Sequence, residues 1–183
     1  MENMTPGEAR DALDQADAAR RHMSEALRLP SSFHLSIGVA IAVQVGTLAV
    51  ALTAGWSSAA AIATAWSGIL VFLVVAGVQL WRFRRLNGAW VRALASRAVL
   101  GTSTLSSLGY AAGLALAVWA GFAELWWLLV LASIAAGVAY AWAGRHWWAS
   151  YRRDPRGDGE SRATLIAWVV VAAGALVLVV VGR

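Results

Sequence analysis

The chain has 183 residues, is 60% hydrophobic and only 14% charged, carries a formal net charge of +5 and contains no cysteine. Soluble domains are about half apolar and a quarter charged, so this balance points to lipid; without Cys, disulfides, thiol catalysis and Cys-based zinc sites are excluded. Every basic residue apart from the three histidines is Arg, and most arginines fall between apolar runs, where orienting a membrane chain explains them better than a nucleic-acid partner does.

Thr5-Pro6-Gly7-Glu8 has the spacing of a capping box with Pro at the first helical position, where its missing N–H costs nothing. A helix is predicted from there to Pro30. Its acids, Glu8, Asp11, Asp14 and Asp17, precede Arg20, Arg21 and Arg28, an order that suits the helix dipole, and Asp17 can pair with Arg21 one turn on. The apolar stripe is thin, mainly Ala12, Ala16, Ala19, Met23 and Ala26 or Leu27. Residues 1–30 therefore read as a soluble, weakly amphipathic cytoplasmic helix that does not insert. So acidic a leader before so long an apolar run argues for a retained anchor and against a secretory signal, although Ala59 and Ala61 imitate a cleavage site.

Five apolar segments follow, each long enough for the roughly 30 Å hydrocarbon layer. The first span is placed at about 34–54, with Ser31 or Ser32 as its cap, and the second at about 58–81. Gly55, Trp56 and Ser57 alone join them, which forces an antiparallel hairpin. Arg82, Arg84, Arg85, Arg92 and Arg97 come next among Leu86, Trp90, Val91 and Leu94, a pattern that predicts an interfacial helix with Arg85 and Arg92 on its polar half. A third span is expected from Val99 or Thr102 to Gly121, with a hydroxyl-rich entrance, and a fourth at about 125–143 after the turn Phe122-Ala123-Glu124. Residues 145–162, with Pro155, Gly157 and Gly159, read as a mobile basic loop. A fifth span at about 163–181 closes an all-α, polytopic transmembrane bundle.

Placing the amino terminus inside puts every Arg except Arg183 on the cytoplasmic side, whereas the reverse topology would translocate fourteen of the fifteen. The bias governing short loops favours the first arrangement, with the carboxyl terminus outside a bacterial cytoplasmic membrane. Trp56, Trp81, Trp126, Trp147 and Trp148 sit at span ends as headgroup anchors. Trp66, Trp119, Trp142 and Trp168 lie deeper, where core packing is expected. Gly46 to Trp56 resembles Gly113 to Phe122, and Phe83-Arg84-Arg85 resembles Tyr151-Arg152-Arg153; a duplicated hairpin and shared membrane composition both account for the likeness.

Inside the membrane the strongest pattern is Gly109, Gly113, Ala117 and Gly121, small residues four apart that form a helix-packing face or a homo-oligomer seam. Gly38, Ala42 and Gly46, and Ala60, Thr64 and Gly68, repeat it more weakly. No ionisable residue falls near a predicted midplane, and Gln44 is the strongly polar side chain deep in a span. With Ser103 and Ser106 it outlines a possible polar path. His34 and His146 both fall near the cytoplasmic boundary, but two histidines without carboxylate support do not make a haem or metal site. No G-x-S-x-G and no Walker lysine occurs, so no enzyme activity and no cofactor is expected.

Taken whole, the short acidic-then-basic helix, the Leu-Pro break and the Trp-rich hairpins resemble small multi-pass membrane proteins of high-GC bacteria. The resemblance is one of style over the full length and implies no activity and no residue role. The expected function is that of a non-enzymatic accessory or regulatory membrane component. Its cytoplasmic basic face, Arg82, Arg84, Arg85, Arg92, Arg152 and Arg153, would meet anionic lipid headgroups or a cytoplasmic protein partner. The alternative is a small homo-oligomeric transporter or channel.

Overall fold

A computed structural model describes residues 5–55, 58–87 and 104–153, and these form five helices with no strand among the described residues. The first, α1, spans Pro6–Ala26 and starts as its sequence dictates. The Thr5 hydroxyl accepts the Glu8 N–H while the Glu8 carboxylate accepts the Thr5 N–H at 2.8 Å, so a reciprocal pair satisfies two backbone donors. The helix ends at Ala26, with Leu27 already extended, ahead of the predicted stop at Pro30. Of the predicted stripe, Ala12, Ala16 and Ala19 are exposed, and among the described side chains of α1 the buried one is Asp17.

The second helix, α2, spans Phe33–Ala54 and the third, α3, spans Ala59–Asn87. Between them Gly55 takes φ 83°, a left-handed conformation open to glycine without penalty. Ser58 then opens α3, its hydroxyl accepting the Ala61 N–H at 3.0 Å. A second hairpin joins α4, Thr104–Phe122, to α5, Trp126–Arg153. Its turn is a Schellman closure, in which Leu125 N–H reaches Ala120 O at 2.9 Å and Glu124 N–H reaches Gly121 O at 3.1 Å. Glu124 holds the left-handed position, φ 59°, where glycine is usual.

Three of these helices, α2, α3 and the long part of α5, are long and apolar enough to cross a membrane, and α4 is a shorter apolar helix. Helix α2 is the hub, packed against α3, α4 and α5, while α4 also packs along α5 and α1 touches α5. Contacts between Thr53 and Gly121 at one end, and between His34 and Gly144 toward the other, show that α2 and α4 run parallel with α3 and α5 antiparallel to both. The two hairpins thus share one sense.

Both long helices overrun the spans predicted for them. Helix α3 continues six residues past Trp81 to Asn87, so Arg82, Arg84 and Arg85 ride on the spanning helix itself and not on a separate interfacial helix. Arg and Leu are good helix formers, cations favour a helix carboxyl end, and the first breaker in the sequence is Gly88. Helix α5 likewise carries Arg145 and Arg152 as helical residues to Arg153, correcting the first part of the predicted mobile loop. The predicted fifth span, Trp168 and the rest of the predicted interfacial helix beyond Asn87 lie outside the described residues.

The core is built from small side chains: Ala40, Ala49, Ala117, Ala120, Ala132 and Ala136 surround Ile37, Ile41, Val45 and Phe33. Such a core leaves room for few indoles. Trp66, Trp119 and Trp142, expected in the interior, are instead 63%, 56% and 61% exposed on the outer surface, while Trp148, expected as an interfacial anchor, is buried.

Candidate functional site

Where small residues face each other the helices nearly touch, and this decides which side chains are left to do anything else. A Cβ on Gly38 would lie 2.8 Å from Gly137 O and 2.9 Å from Ala141 Cβ, and one on Gly137 would meet Gly38 O. Along α4, Gly109 faces Ala139, Gly113 abuts Ala136, Ala117 is fully buried and Gly121 fits against Thr53 and Leu129. The row of four small residues therefore packs α4 onto α5 and α2 within the chain. Gly68 meets Thr47 and the Gln44 backbone in the same way, closing α2 on α3.

The basic residues gather at one end of the bundle. Arg82, Arg84 and Arg85 close α3, Arg145 and Arg152 sit on the last turns of α5, and all five are exposed. Arg85 lies over the Trp81 ring, its Cζ 4.5 Å from the centroid, a cation–π contact beside an indole that is itself half exposed. On α5 the rings continue: Trp147 stacks on Tyr151 at 5.6 Å, Trp148 at 6.0 Å from the same Tyr, and His146 on Trp142 at 5.7 Å. At the opposite end Glu124 is the charged residue among those described. Arg92 lies outside the described residues, and Arg153 is placed by its backbone as the end of α5.

Two polar clamps that the sequence did not announce hold this end together. The Asn87 side-chain amide accepts the Arg28 N–H at 2.9 Å and donates to Arg28 O at 2.9 Å and to Phe83 O at 2.8 Å. One side chain at the end of α3 thereby pins the segment between α1 and α2. One heptad and a residue earlier on the same face of α3, buried Gln79 donates to Ser36 Oγ at 2.6 Å, and Ser36 donates onward to Phe33 O at 3.0 Å. Gln79 Oε1 is buried with no donor among the described residues. Gln79 falls two residues inside the expected end of its span, where a polar side chain reads as interfacial; its spacing from Ala65, Ala76 and Phe83 marks the buried face of α3.

The residues expected to line a polar path are not brought together as a channel. Ser106 is fully buried, Gln44 is half-buried beside α3, and Ser103 lies outside the described residues. Between α2 and α5, with Thr64 of α3 at its edge, runs an open-sided groove of about 400 Å³. Its hydroxyls face their own helices: Thr47 donates to Val43 O, Thr64 to Ala60 O and Ser133 to Leu129 O, each within 2.9 Å. The groove therefore presents hydrocarbon despite its Thr and Ser content.

His34 meets the edge of Phe33 at 5.5 Å, and no group of three or more metal-ligating side chains forms among the described residues. In comparisons with protein-family models, curated proteins and solved structures, the chain matches none.

Proposed function

We infer that the chain is a non-enzymatic accessory or regulatory component of a bacterial cytoplasmic membrane, amino terminus inside, whose basic end engages anionic lipid headgroups or a cytoplasmic protein partner. The observation that supports this is the placement of Arg82, Arg84, Arg85, Arg145 and Arg152 on rigid helix ends at one end of the bundle, interleaved with Trp81 and the Trp147–Tyr151 stack. Guanidinium groups read phosphate well, and indoles favour the headgroup boundary. Each basic residue near an anionic surface is worth about 1 kcal/mol, so three on α3 give a large combined preference.

The test is lipid selection in nanodiscs of mixed anionic and zwitterionic phospholipid. Wild type should enrich anionic lipid, and R82Q, R84Q and R85Q together should lose most of that enrichment. Equal enrichment by the triple variant would refute the role given to α3. An impermeant maleimide reaching R84C from outside intact cells would refute the orientation.

The other reading, a small homo-oligomeric transporter or channel through Gln44, Ser103 and Ser106, draws less support. Ser106 is fully buried, and the groove hydroxyls are turned away from any path.

A further inference from the structure

We propose that α1 is a releasable arm, docked on the Arg-rich last turns of α5 through the buried carboxylate of Asp17 and set free when anionic phospholipid headgroups gather at that end of the bundle. The release rests on the headgroup reading given above; the docking does not.

Location comes first. Helix α5 overhangs the start of α2: Gly144 abuts His34, and the helix continues to Arg153. The chain enters α2 at this same end through Arg28, whose backbone Asn87 holds at 2.9 Å. Helix α1 touches α5. The deeper turns of α5 are apolar span, closed to a helix that carries Glu8, Asp11, Asp14 and Asp17. The meeting point is therefore the overhang, with Arg145, His146, Arg152 and the backbone position of Arg153.

The hold is polar. Ala12, Leu13, Ala16, Ala18 and Ala19 are exposed and give little apolar burial, while Asp17 is only 8% exposed. A carboxylate taken out of water is costly unless positive charge or donors surround it, and removing that compensation is strongly destabilising. The overhang of α5 supplies such charge. Asp11 and Asp14, by contrast, are exposed.

The same charge is open to lipid. Arg82, Arg84, Arg85, Arg145 and Arg152 are all exposed with α1 in place, so phosphates reach them without first displacing the arm. Each headgroup bound there lowers the positive potential around Asp17, and an arm held by that potential lets go. Leu27 provides the joint: it is extended at the end of α1, one residue short of Arg28, so the helix can swing while Asn87 keeps its foot. The coupling is reciprocal: undocking raises the preference for anionic lipid by the factor with which anionic lipid favours undocking.

The sequence has no cysteine, so nitroxides at Q15C and S150C, both exposed positions, report the distance between arm and α5 by pulsed electron paramagnetic resonance in nanodiscs. In phosphatidylcholine the pair should give one narrow distance. In mixtures rich in phosphatidylglycerol a longer, broader population should grow, changing the docked-to-free ratio by about fivefold or more. D17N should remove the dependence on lipid charge, and D14N, an equal loss of charge at an exposed position, should keep it. A distribution that ignores lipid charge in the otherwise native chain overturns the release, and this arm needs no variant at Asp17 to fold. Equal behaviour of D14N and D17N means that bulk charge alone acts and overturns the role of Asp17. Anionic-lipid enrichment in the same discs separates the two readings. Enrichment with an unmoved arm sinks the release alone; no enrichment sinks the headgroup reading, while a narrow distance broadened by D17N still supports the docking.

Discussion

Asn87 holds both backbone groups of Arg28, 59 residues away in sequence, through a two-point amide pairing at 2.9 Å in each direction. The contact ties the loop after α1 to the end of α3. A typical intramolecular hydrogen bond contributes about 1 kcal/mol, so N87A should loosen this loop by about 1–2 kcal/mol without unfolding the hairpin. Amide hydrogen exchange at Arg28 should accelerate about tenfold, with exchange in the middle of α2 unchanged. N87D should behave like N87A, since it loses the donor to Arg28 O and to Phe83 O.

Glu124 pays a conformational penalty at its left-handed position, which for an L-residue is about 1–2 kcal/mol. E124G should therefore stabilise the α4–α5 hairpin by about 1 kcal/mol, and E124A should change it by only a few tenths. Thermal unfolding in one detergent decides between this and a role for the carboxylate, which would make E124A the disruptive variant.

Gly137 and Gly77 make a matched pair. A Cβ on Gly137 would collide with Gly38 O and lie 2.9 Å from Ala42 Cβ, whereas one on Gly77 meets nothing within 4 Å. G137A should destabilise the bundle by about 1–3 kcal/mol through overpacking, and G77A should be neutral or slightly stabilising. Resistance to SDS unfolding orders the two; equal behaviour would mean the α2–α5 crossing is looser than its geometry implies.

Glu8 supplies a pH dependence with a definite sign. Hydrogen bonds from the Thr5 backbone and then its hydroxyl hold the Glu8 carboxyl below its ordinary value of 4.5. A depressed folded value means that the contribution to the start of α1 is complete above about pH 4.5 and fades as pH falls through the lowered value. Carboxyl carbon shifts of Glu8 in the full chain should titrate below those of an unpaired Glu. T5A removes the hydroxyl and keeps the backbone donor, so it should return the titration only part of the way to the ordinary range.

The described apolar helices were legible in the sequence from their length, and the Phe122-Ala123-Glu124 turn from the charge that interrupts two apolar runs. The span ends were not. Hydropathy falls at Arg82 and Arg145, but Arg and Leu are good helix formers and the helical backbone runs on through them. The exposed basic side chains Arg82, Arg84, Arg85 and Arg152 were identified as a candidate face from charge alone, and the structure adds that they stand on helix. Asn87 escaped notice because its partner is a backbone group, which leaves no side-chain pattern to read. Trp66, Trp119 and Trp142 differ from expectation for another reason: depth along a helix says nothing about which side of it faces the core, and these three stand on outward sides while Trp148 stands on an inward one.

The overrun of α3 and α5 bears on how this end of the molecule would meet a partner. Helices of 29 and 28 residues measure about 43 Å and 42 Å against a hydrocarbon layer of about 30 Å, so each has more length than a perpendicular crossing needs, and the arginines occupy backbone positions set by that helical excess. Groups already set in place lose little freedom when a headgroup or a protein arrives. Recognition there would depend on spacing between the two helix ends, and inserting a single residue near Arg82 would turn its charges by about 100° and scramble the pattern while leaving composition intact.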